Sequence, residues 1–377
     1  MLRAYKFRLY PSKTQNKNMC SHLWISKNLW NEMLGHTQKI YADYAKFPTK
    51  KALRQFAKNT GLYSQAGQEL VDRLLDALKR KMQMKKKGRK GGFPRFKSFE
   101  RMKSLHYPQS GFRLGNKLHA TPFGEISLKQ HREIKGRIKT MSLKREPSGK
   151  WFAIFTAEHE PEPRINKGKP VGIDLGLMSF ATLSNGAVID NPRHLKKHES
   201  KLAFLQRNLS SCRKGSKNRK RARHKVAVLH EKVANSRKDF LHKLSSRLTK
   251  EYSFIAMENL ASKQMSEKQF GKSIHDAGWA MFANMMSYKA EEAGCEAVFV
   301  NPRNTTKECS SCGTLSEKAL KDRMHNCPSC GYAVDRDLNA AQVILNRARA
   351  GTARSNACGD EASASPLKQD ACRFSSR

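Results

Sequence analysis

CSSCGTLSEKALKDRMHNCPSCGYAVDRDLNAA, Cys309 to Ala341, is the stretch on which the fold turns. It holds two Cys-x-x-Cys knuckles, Cys309/Cys312 and Cys327/Cys330, with fourteen residues between them. That spacing suits a tetrahedral Cys₄ zinc site closing a short ribbon with no apolar core of its own. The competing chemistry, a pair of redox dithiols, needs a βαβ setting that the surrounding residues do not supply. Directly after the ribbon, Asp335-Arg336-Asp337-Leu338-Asn339-Ala340-Ala341 runs into a segment apolar at Leu338, Ala341, Ile344, Leu345 and Ala348. The spacing predicts a helix with acids at its start, Arg347 and Arg349 in its last turn and Gly351 as its stop. An acid at a helix start is usually a cap. It becomes a metal ligand only if other carboxylates meet it.

Working back from the ribbon, three apolar strands follow one another with helices between them. Val171-Gly172-Ile173-Asp174-Leu175-Gly176 opens the series, and an Asn185-Gly186 turn joins Phe180–Ser184 to Ala187–Ile189 as a hairpin. Leucines at helical spacing from Leu202 to Leu248 predict a helical hairpin insert over 195–250. Tyr252–Met257 is a buried strand ending at Glu258, Gly278–Gly294 a helix with Met281, Phe282, Met285, Met286 and Tyr288 toward the core, and Cys295–Val300 a last strand. This order is that of an RNase H-like sheet, which would bring Asp174, Glu258 and Asp337 to one edge. Converging carboxylates repel, so they point to divalent cations: two Mg²⁺ ions on oxygen ligands, beside zinc on thiolates. Such a pair can activate water and stabilise the leaving 3′-oxygen of a phosphodiester.

The N-terminal 170 residues have another texture. Ala4–Tyr10 alternates as a strand, and Ser12 with Gln15 forms a capping box before a helix carrying Ile25, Leu29, Met33 and Leu34, with Trp24 and Trp30 assigned to the core. A second helix is predicted from about Gln65 to Met84, completing a helical insert over 12–103, and a β-rich part over 104–160, so this N-terminal region is expected to be mixed β-barrel and helical beside the α/β part that follows. Between Lys79 and Lys97 ten of nineteen residues are Lys or Arg and none is acidic, so Lys85, Lys86, Lys87, Arg89, Lys90, Arg95 and Lys97 are candidate phosphate contacts. The tip of the later hairpin repeats the pattern with eight basic residues in the thirteen from Arg213 to Lys225, including Arg219, Lys220, Arg221 and Arg223. With 73 Lys+Arg against 32 Asp+Glu, the formal charge of +41 points first to a polyanion partner, RNA or DNA. There is no apolar run long enough for a membrane and no signal peptide, and five further cysteines at scattered positions make no disulfide framework. The expected compartment is the cytoplasm or prokaryotic nucleoid, and 352–377 reads as a disordered tail.

YKFRLYPS with its following helix, GFPRFKS, GIDLG, the MENL strand end, the Cys₄ ribbon and DRDLNAA together resemble the TnpB family, transposon-encoded RNA-guided nucleases related to type V CRISPR effectors. The resemblance spans nearly the whole chain. It implies a wedge and recognition region over 1–170 and a RuvC-like nuclease over 171–308 and 331–351, split by a zinc ribbon over 309–330. Asp174, Glu258 and Asp337 would be the catalytic acids, Asp337 rather than Asp335 being the acid directly before Leu-Asn-Ala-Ala. The implied partners are a noncoding guide RNA and double-stranded target DNA cut beside a short motif, with no membrane and no required protein partner. Two other classes stay open at this point: a nuclease-inactive nucleic-acid-binding regulator, and a transposase that also joins DNA.

Overall fold

The computed structural model describes residues 2–160, 165–260, 271–317 and 322–358. They form two compact units, 1–160 and 161–377.

In the first unit the alternation of LRAYKFRLY makes β1 (Leu2–Tyr10), burying Tyr5, Phe7 and Leu9 while Lys6 and Arg8 lie over the Phe152 ring on the other face. The capping box at Ser12 is formed in full, and α1 (Lys13–Tyr44) follows it. Then come α2 (Lys50–Ala57), which the sequence reading did not foresee, and α3 (Ser64–Lys86), burying Leu70, Leu74 and Leu78. Six strands complete the unit: β2 (Ser104–Tyr107), β3 (Phe112–Leu114), β4 (Leu118–Ala120), β5 (Gly124–Lys129), β6 (Arg137–Arg145) and β7 (Trp151–Glu158). The sheet order is β2-β6-β7-β1-β5-β4-β3, antiparallel throughout. The expected β-barrel is therefore not closed by hydrogen bonds. It curls back instead, bringing the Tyr107 and Phe112 rings of its two edge strands to 6.5 Å. Trp24 corrects a second expectation: Trp30 is buried, whereas Trp24, 54% exposed, stands in solvent beneath Lys27.

The second unit holds a five-stranded mixed sheet, order β10-β9-β8-β11-β12. Its strands are β8 (Pro170–Leu175), β9 (Ser179–Leu183), β10 (Val188–Asp190), β11 (Phe254–Glu258) and β12 (Glu296–Val300). The first three form an antiparallel meander, and β8, β11 and β12 run parallel. Between β10 and β11 come α4 (Glu199–Ser211) and α5 (Lys217–Glu251), the predicted helical hairpin. Between β11 and β12 come α6 (Gly271–Ala277) and α7 (Trp279–Ala293). Val171, Ile173, Ile255 and Met257 pack with residues of α5 and α7 in one core. Met281, expected in that core, is 39% exposed.

The opposite face belongs to α8 (Arg336–Cys358), which lays Ile344, Leu345 and Ala348 on Phe254, Ala256, Val298 and Val300. Gly172 allows this approach, since a Cβ there would stand 2.0 Å from the Ala341 carbonyl oxygen. Gly351 does not end the helix as expected, because the backbone continues helical to Cys358. Residues 352–358, assigned to the tail, are thus helical, and the remainder of that expected tail lies outside the described residues. A two-stranded ribbon, β13 (Met324–Asn326) and β14 (Ala333–Asp335), leads into α8. Among the described residues no helix is long and apolar enough to cross a membrane.

Candidate active site

Side chains in a strand alternate, so Gly172 and Asp174 share one face of β8, and Phe254, Ala256 and Glu258 share that face of β11. The last registered pair of these parallel strands is Met257 with Ile173, which puts Glu258 and Asp174 one step beyond it, side by side at the strand ends. Asp337 sits one helical turn before Ala341, the residue pressed on Gly172, and therefore arrives over the same end. A carboxylate from each of three distant segments is thus delivered to one place.

Their electrostatics follow. The Asp174 carboxyl is pushed up to about 8, first by burial and then by the charges of Glu258 and Asp337, with Arg336 and the Leu175 N–H opposing. Burial also raises Glu258, against the pull of the Thr305 hydroxyl and of Arg347. Thr305 is itself buried and donates to Glu258 Oε1. Asp337 faces Arg336 Nε at 3.1 Å and Arg323 Nη1 at 3.6 Å. Asp335 Oδ1 accepts from the backbone N–H groups of Asp337 and Leu338, so that acid caps the helix.

The three acids do not close into a tight cage. Among the described residues only the four cysteines form a group of three or more ligand-type side chains with donor atoms within 4.8 Å of one another. Asp337 turns instead to its arginines. The donor set nonetheless fits a hard divalent cation, being all oxygen, and burial with the charges of Glu258 and Asp337 makes ionised Asp174 costly in the protein alone.

Cys309 Sγ lies 3.7 Å from Cys330 Sγ and Cys312 Sγ 3.5 Å from Cys327 Sγ. Four sulfurs at ~2.3 Å from a tetrahedral zinc would stand ~3.8 Å apart, so the cluster fits zinc, and the separations exclude disulfides. Each knuckle is a Cys-x-x-Cys-Gly turn in which Gly313 or Gly331, at positive φ, returns its N–H to the carbonyl of the first cysteine.

Sequence reasoning missed the residues that couple this ribbon to the acids. Asn339, fully buried, accepts from the Ser310 N–H and donates to the Glu308 carbonyl. Gln342 accepts from the Ser310 hydroxyl and from Tyr332, and Asn346 donates to the Ser310 carbonyl. Arg347 pairs with the Glu308 carboxylate and reaches the carbonyls of Asn301 and Arg303. The only signal available beforehand was that polar residues recur at 339, 342 and 346, one side of a helix whose other side is apolar.

The predicted phosphate contacts separate by role. Lys85, Lys86, Lys87, Arg89, Lys90 and Arg95 are exposed at the end of α3 and in the following loop, and Lys97 is half-buried on the Trp30 ring. At the hairpin tip Lys220, Arg221 and Arg223 are exposed, whereas Arg219 Nη1 donates to the carbonyls of Leu209 and Cys212, capping α4.

Three family profiles match: "Probable transposase" over residues 153–269, "Cas12f1-like, TNB domain" over 279–344 and "Helix-turn-helix domain" over 1–46, which here is a strand and one long helix. A Streptomyces pristinaespiralis protein described as "Putative RNA-guided DNA endonuclease" is 32% identical, covering 95% of this chain and 91% of its own. The Escherichia coli protein "Putative RNA-guided DNA endonuclease InsQ" is 28% identical over 98% and 97%. A solved structure titled "Structure of the mini-RNA-guided endonuclease CRISPR-Cas_phi3" aligns over 92% of each chain at 8% identity and a TM-score of 0.47, too loose a likeness to carry an argument.

Proposed function

This chain belongs to the TnpB family, the OrfB proteins of IS605-type elements, and on that premise we propose that it is an RNA-guided DNA endonuclease whose RuvC-type, RNase H-like centre is built from Asp174, Glu258 and Asp337. A meander of β8, β9 and β10 extended by parallel β11 and β12 is the strand order expected of that sheet. One observation carries the reading most: carboxylates from three distant segments lie toward one end of the sheet, and burial with the charges of the other two acids disfavours ionised Asp174. A surface with no role for a cation gains nothing from that cost.

Two Mg²⁺ ions on these carboxylates would supply an activated water and stabilise the leaving 3′-oxygen of the cut strand. The chain's own residues do the remainder. Thr305 holds the Glu258 carboxylate in one orientation, and Arg323 and Arg336 engage Asp337 beside the opening. Zinc held by Cys309, Cys312, Cys327 and Cys330 would stiffen the ribbon, which engages α8, and with it Asp337, through Asn339 and Arg347. Guide RNA and target DNA would lie against the exposed lysines and arginines of 85–95 and 220–223, sequence being read by base pairing with the RNA.

The test is to purify the protein with RNA expressed from its own locus, sequence that RNA, and challenge a plasmid carrying the matching target with Mg²⁺ present. Linear product from the wild type and none from Asp174→Ala with RNA binding retained is the expected pair. No linear product from either protein, with RNA and target bound by both, would leave a nucleic-acid-binding regulator; equal cleavage by both would place the chemistry elsewhere than Asp174, and a strand-transfer product would indicate a DNA-joining transposase.

A further inference from the structure

Alternation gives the curled sheet of the N-terminal unit two unlike faces. Leu9, Leu143 and Trp151 belong to the buried one, and the residues between them point the other way. On that outer face the register sets one row straight across four strands: Lys144 of β6 pairs with Phe152 of β7, Phe152 with Arg8 of β1, and Arg8 with Lys129 of β5. At ~4.8 Å between neighbouring strands the row is about 14 Å long. Its middle is held in place. The Arg8 guanidinium lies over two rings, 5.4 Å from the Phe152 centroid and 5.2 Å from that of Tyr10, while Nη1 donates to the Trp151 carbonyl at 2.7 Å. Lys6 Nζ stands 4.1 Å from the Phe152 centroid. Tyr10, at the end of β1, is 55% exposed, so this array of cations and rings opens to solvent.

The charge along the row is not balanced. Glu146 Oε1 is 2.8 Å from Lys6 Nζ and 3.6 Å from Lys144 Nζ, one carboxylate for two ammonium groups. Glu125, further along β5, faces Lys117. Among the described residues Arg8 and Lys129 have no carboxylate partner, and Arg8 uses one of its five N–H donors on Trp151. Cations suit a phosphodiester chain, and an open ring beside a guanidinium plane suits a nucleobase. A duplex keeps its bases stacked on one another, whereas unpaired RNA nucleotides can lay theirs on Tyr, Phe and Arg planes. The charge therefore selects a polyanion, and the exposed ring selects one with unpaired bases.

We propose that this outer sheet face, with Arg8 and Tyr10 as its stacking centre and Lys129 and Lys144 at its flanks, holds an unpaired stretch of the guide RNA. This inference rests on the RNA-guided function proposed above and deepens it, naming single-stranded RNA as the occupant of a surface separate from the basic runs of 85–95 and 220–223. One base extends the stack on Tyr10, and the phosphates beside it reach the flanking lysines.

The full-length protein is compared with Tyr10→Leu and Lys129→Met, both at exposed positions, and with Arg8→Lys, which keeps the charge and removes the plane. The probe is the RNA that co-purifies with wild type. Its affinity is measured across a salt series, its 2′-hydroxyl reactivity is mapped with and without protein, and the melting temperature and mass of each free protein are recorded. Tyr10→Leu and Arg8→Lys should each bind the RNA ~10-fold more weakly with the salt slope unchanged, because stacking neutralises no phosphate. Lys129→Met should instead lower the log–log slope by ~0.7 per lost phosphate. The same unpaired nucleotides, protected by wild type, should become reactive in all three variants, with melting temperatures unmoved. Unchanged affinity, slope and protection in the three variants would overturn the proposal. So would lower melting temperatures with slope and protection unchanged, which would make the row structural. A loss confined to binding of target duplex by the RNA-loaded protein would assign the face to DNA, and a change in mass with RNA binding intact would assign it to a second copy of the chain; either overturns it. Failure of the wild type to bind the RNA would instead overturn the parent function.

Discussion

Asp174→Asn should make the metal-free protein more stable while abolishing its cleavage. The carboxyl moves from an ordinary 3.8 to about 8 on folding, so the fold favours its protonated form. The associated stability is intact below pH 3.8 and is lost as pH rises through about 8. The shift of about 4 units corresponds to roughly 6 kcal/mol once ionisation is complete, at ~1.36 kcal/mol per unit. Water at the opening screens part of that charge, leaving ~3 kcal/mol to be recovered by the neutral isostere at pH 8.5. At ~2–4 °C per kcal/mol for a unit of this size, the variant should melt about 6–12 °C above wild type at pH 8.5, and the gap should shrink toward pH 5. Added Mg²⁺ should raise the melting temperature of wild type and not that of the variant. Scanning fluorimetry across pH, with and without Mg²⁺, reads all of this. A difference independent of pH, or a variant less stable than wild type at pH 8.5, would refute the argument that the fold disfavours ionised Asp174.

Mg²⁺ binding near neutral pH should release a proton from Asp174, so affinity should rise up to about tenfold per pH unit below pH 8, as calorimetry in buffers of differing ionisation enthalpy would show. Thr305→Val keeps the shape and removes the donor to Glu258; cleavage should fall by the equivalent of ~1–3 kcal/mol, with Thr305→Ser restoring most of it and RNA binding unmoved. Gly172→Ala places a methyl 2.0 Å from the Ala341 carbonyl oxygen and should cost at least ~1–3 kcal/mol of stability and most of the cleavage, both measurable on the purified complex. Stripping zinc with a chelator and then restoring Mg²⁺ should leave the protein unable to cut, and normal cutting would show that ribbon and acids are uncoupled.

The parts of the fold legible in sequence were those set by local rules. Alternation gave β1, the Ser12 box gave the start of α1, and knuckle spacing gave the cysteine cluster, since each depends on residues a few positions apart. What was illegible depends on partners far along the chain. Trp24 and Trp30 have similar claims to burial by periodicity, and only the loop returning from Arg95 to Lys97 decides that Trp30 is covered. Thr305 and Glu258 are 47 residues apart, and nothing local marks a threonine as the donor to a distant glutamate. Gly351 had the form of a stop, but a glycine ends a helix only where the chain needs the left-handed turn, and here the helix runs on. At the candidate site, the acids were visible as acids at element ends; that they stop short of a closed cage, with Asp337 turned to Arg323 and Arg336, follows from charges no pattern encodes.

Helix α8 explains why a metal ribbon interrupts this unit at that point. Two faces of one helix answer to two different structures: Ile344, Leu345 and Ala348 to the sheet, and Asn339, Gln342, Asn346 and Arg347 to the ribbon and the segment leading into it. The apolar face alone would fix how α8 lies across β8 and β11, but apolar contacts are non-directional and tolerate a slide along the axis. Hydrogen bonds are directional. Those from Asn339, Gln342 and Asn346 all engage Ser310, inside the first knuckle, so a slide of one turn, about 5.4 Å, would break every one of them. The same slide would carry Asp337 off the ends of the strands that hold Asp174 and Glu258. Four thiolates on one zinc would make the knuckle rigid, and Asn339 would transfer that rigidity to the first turn of α8, where Asp337 stands.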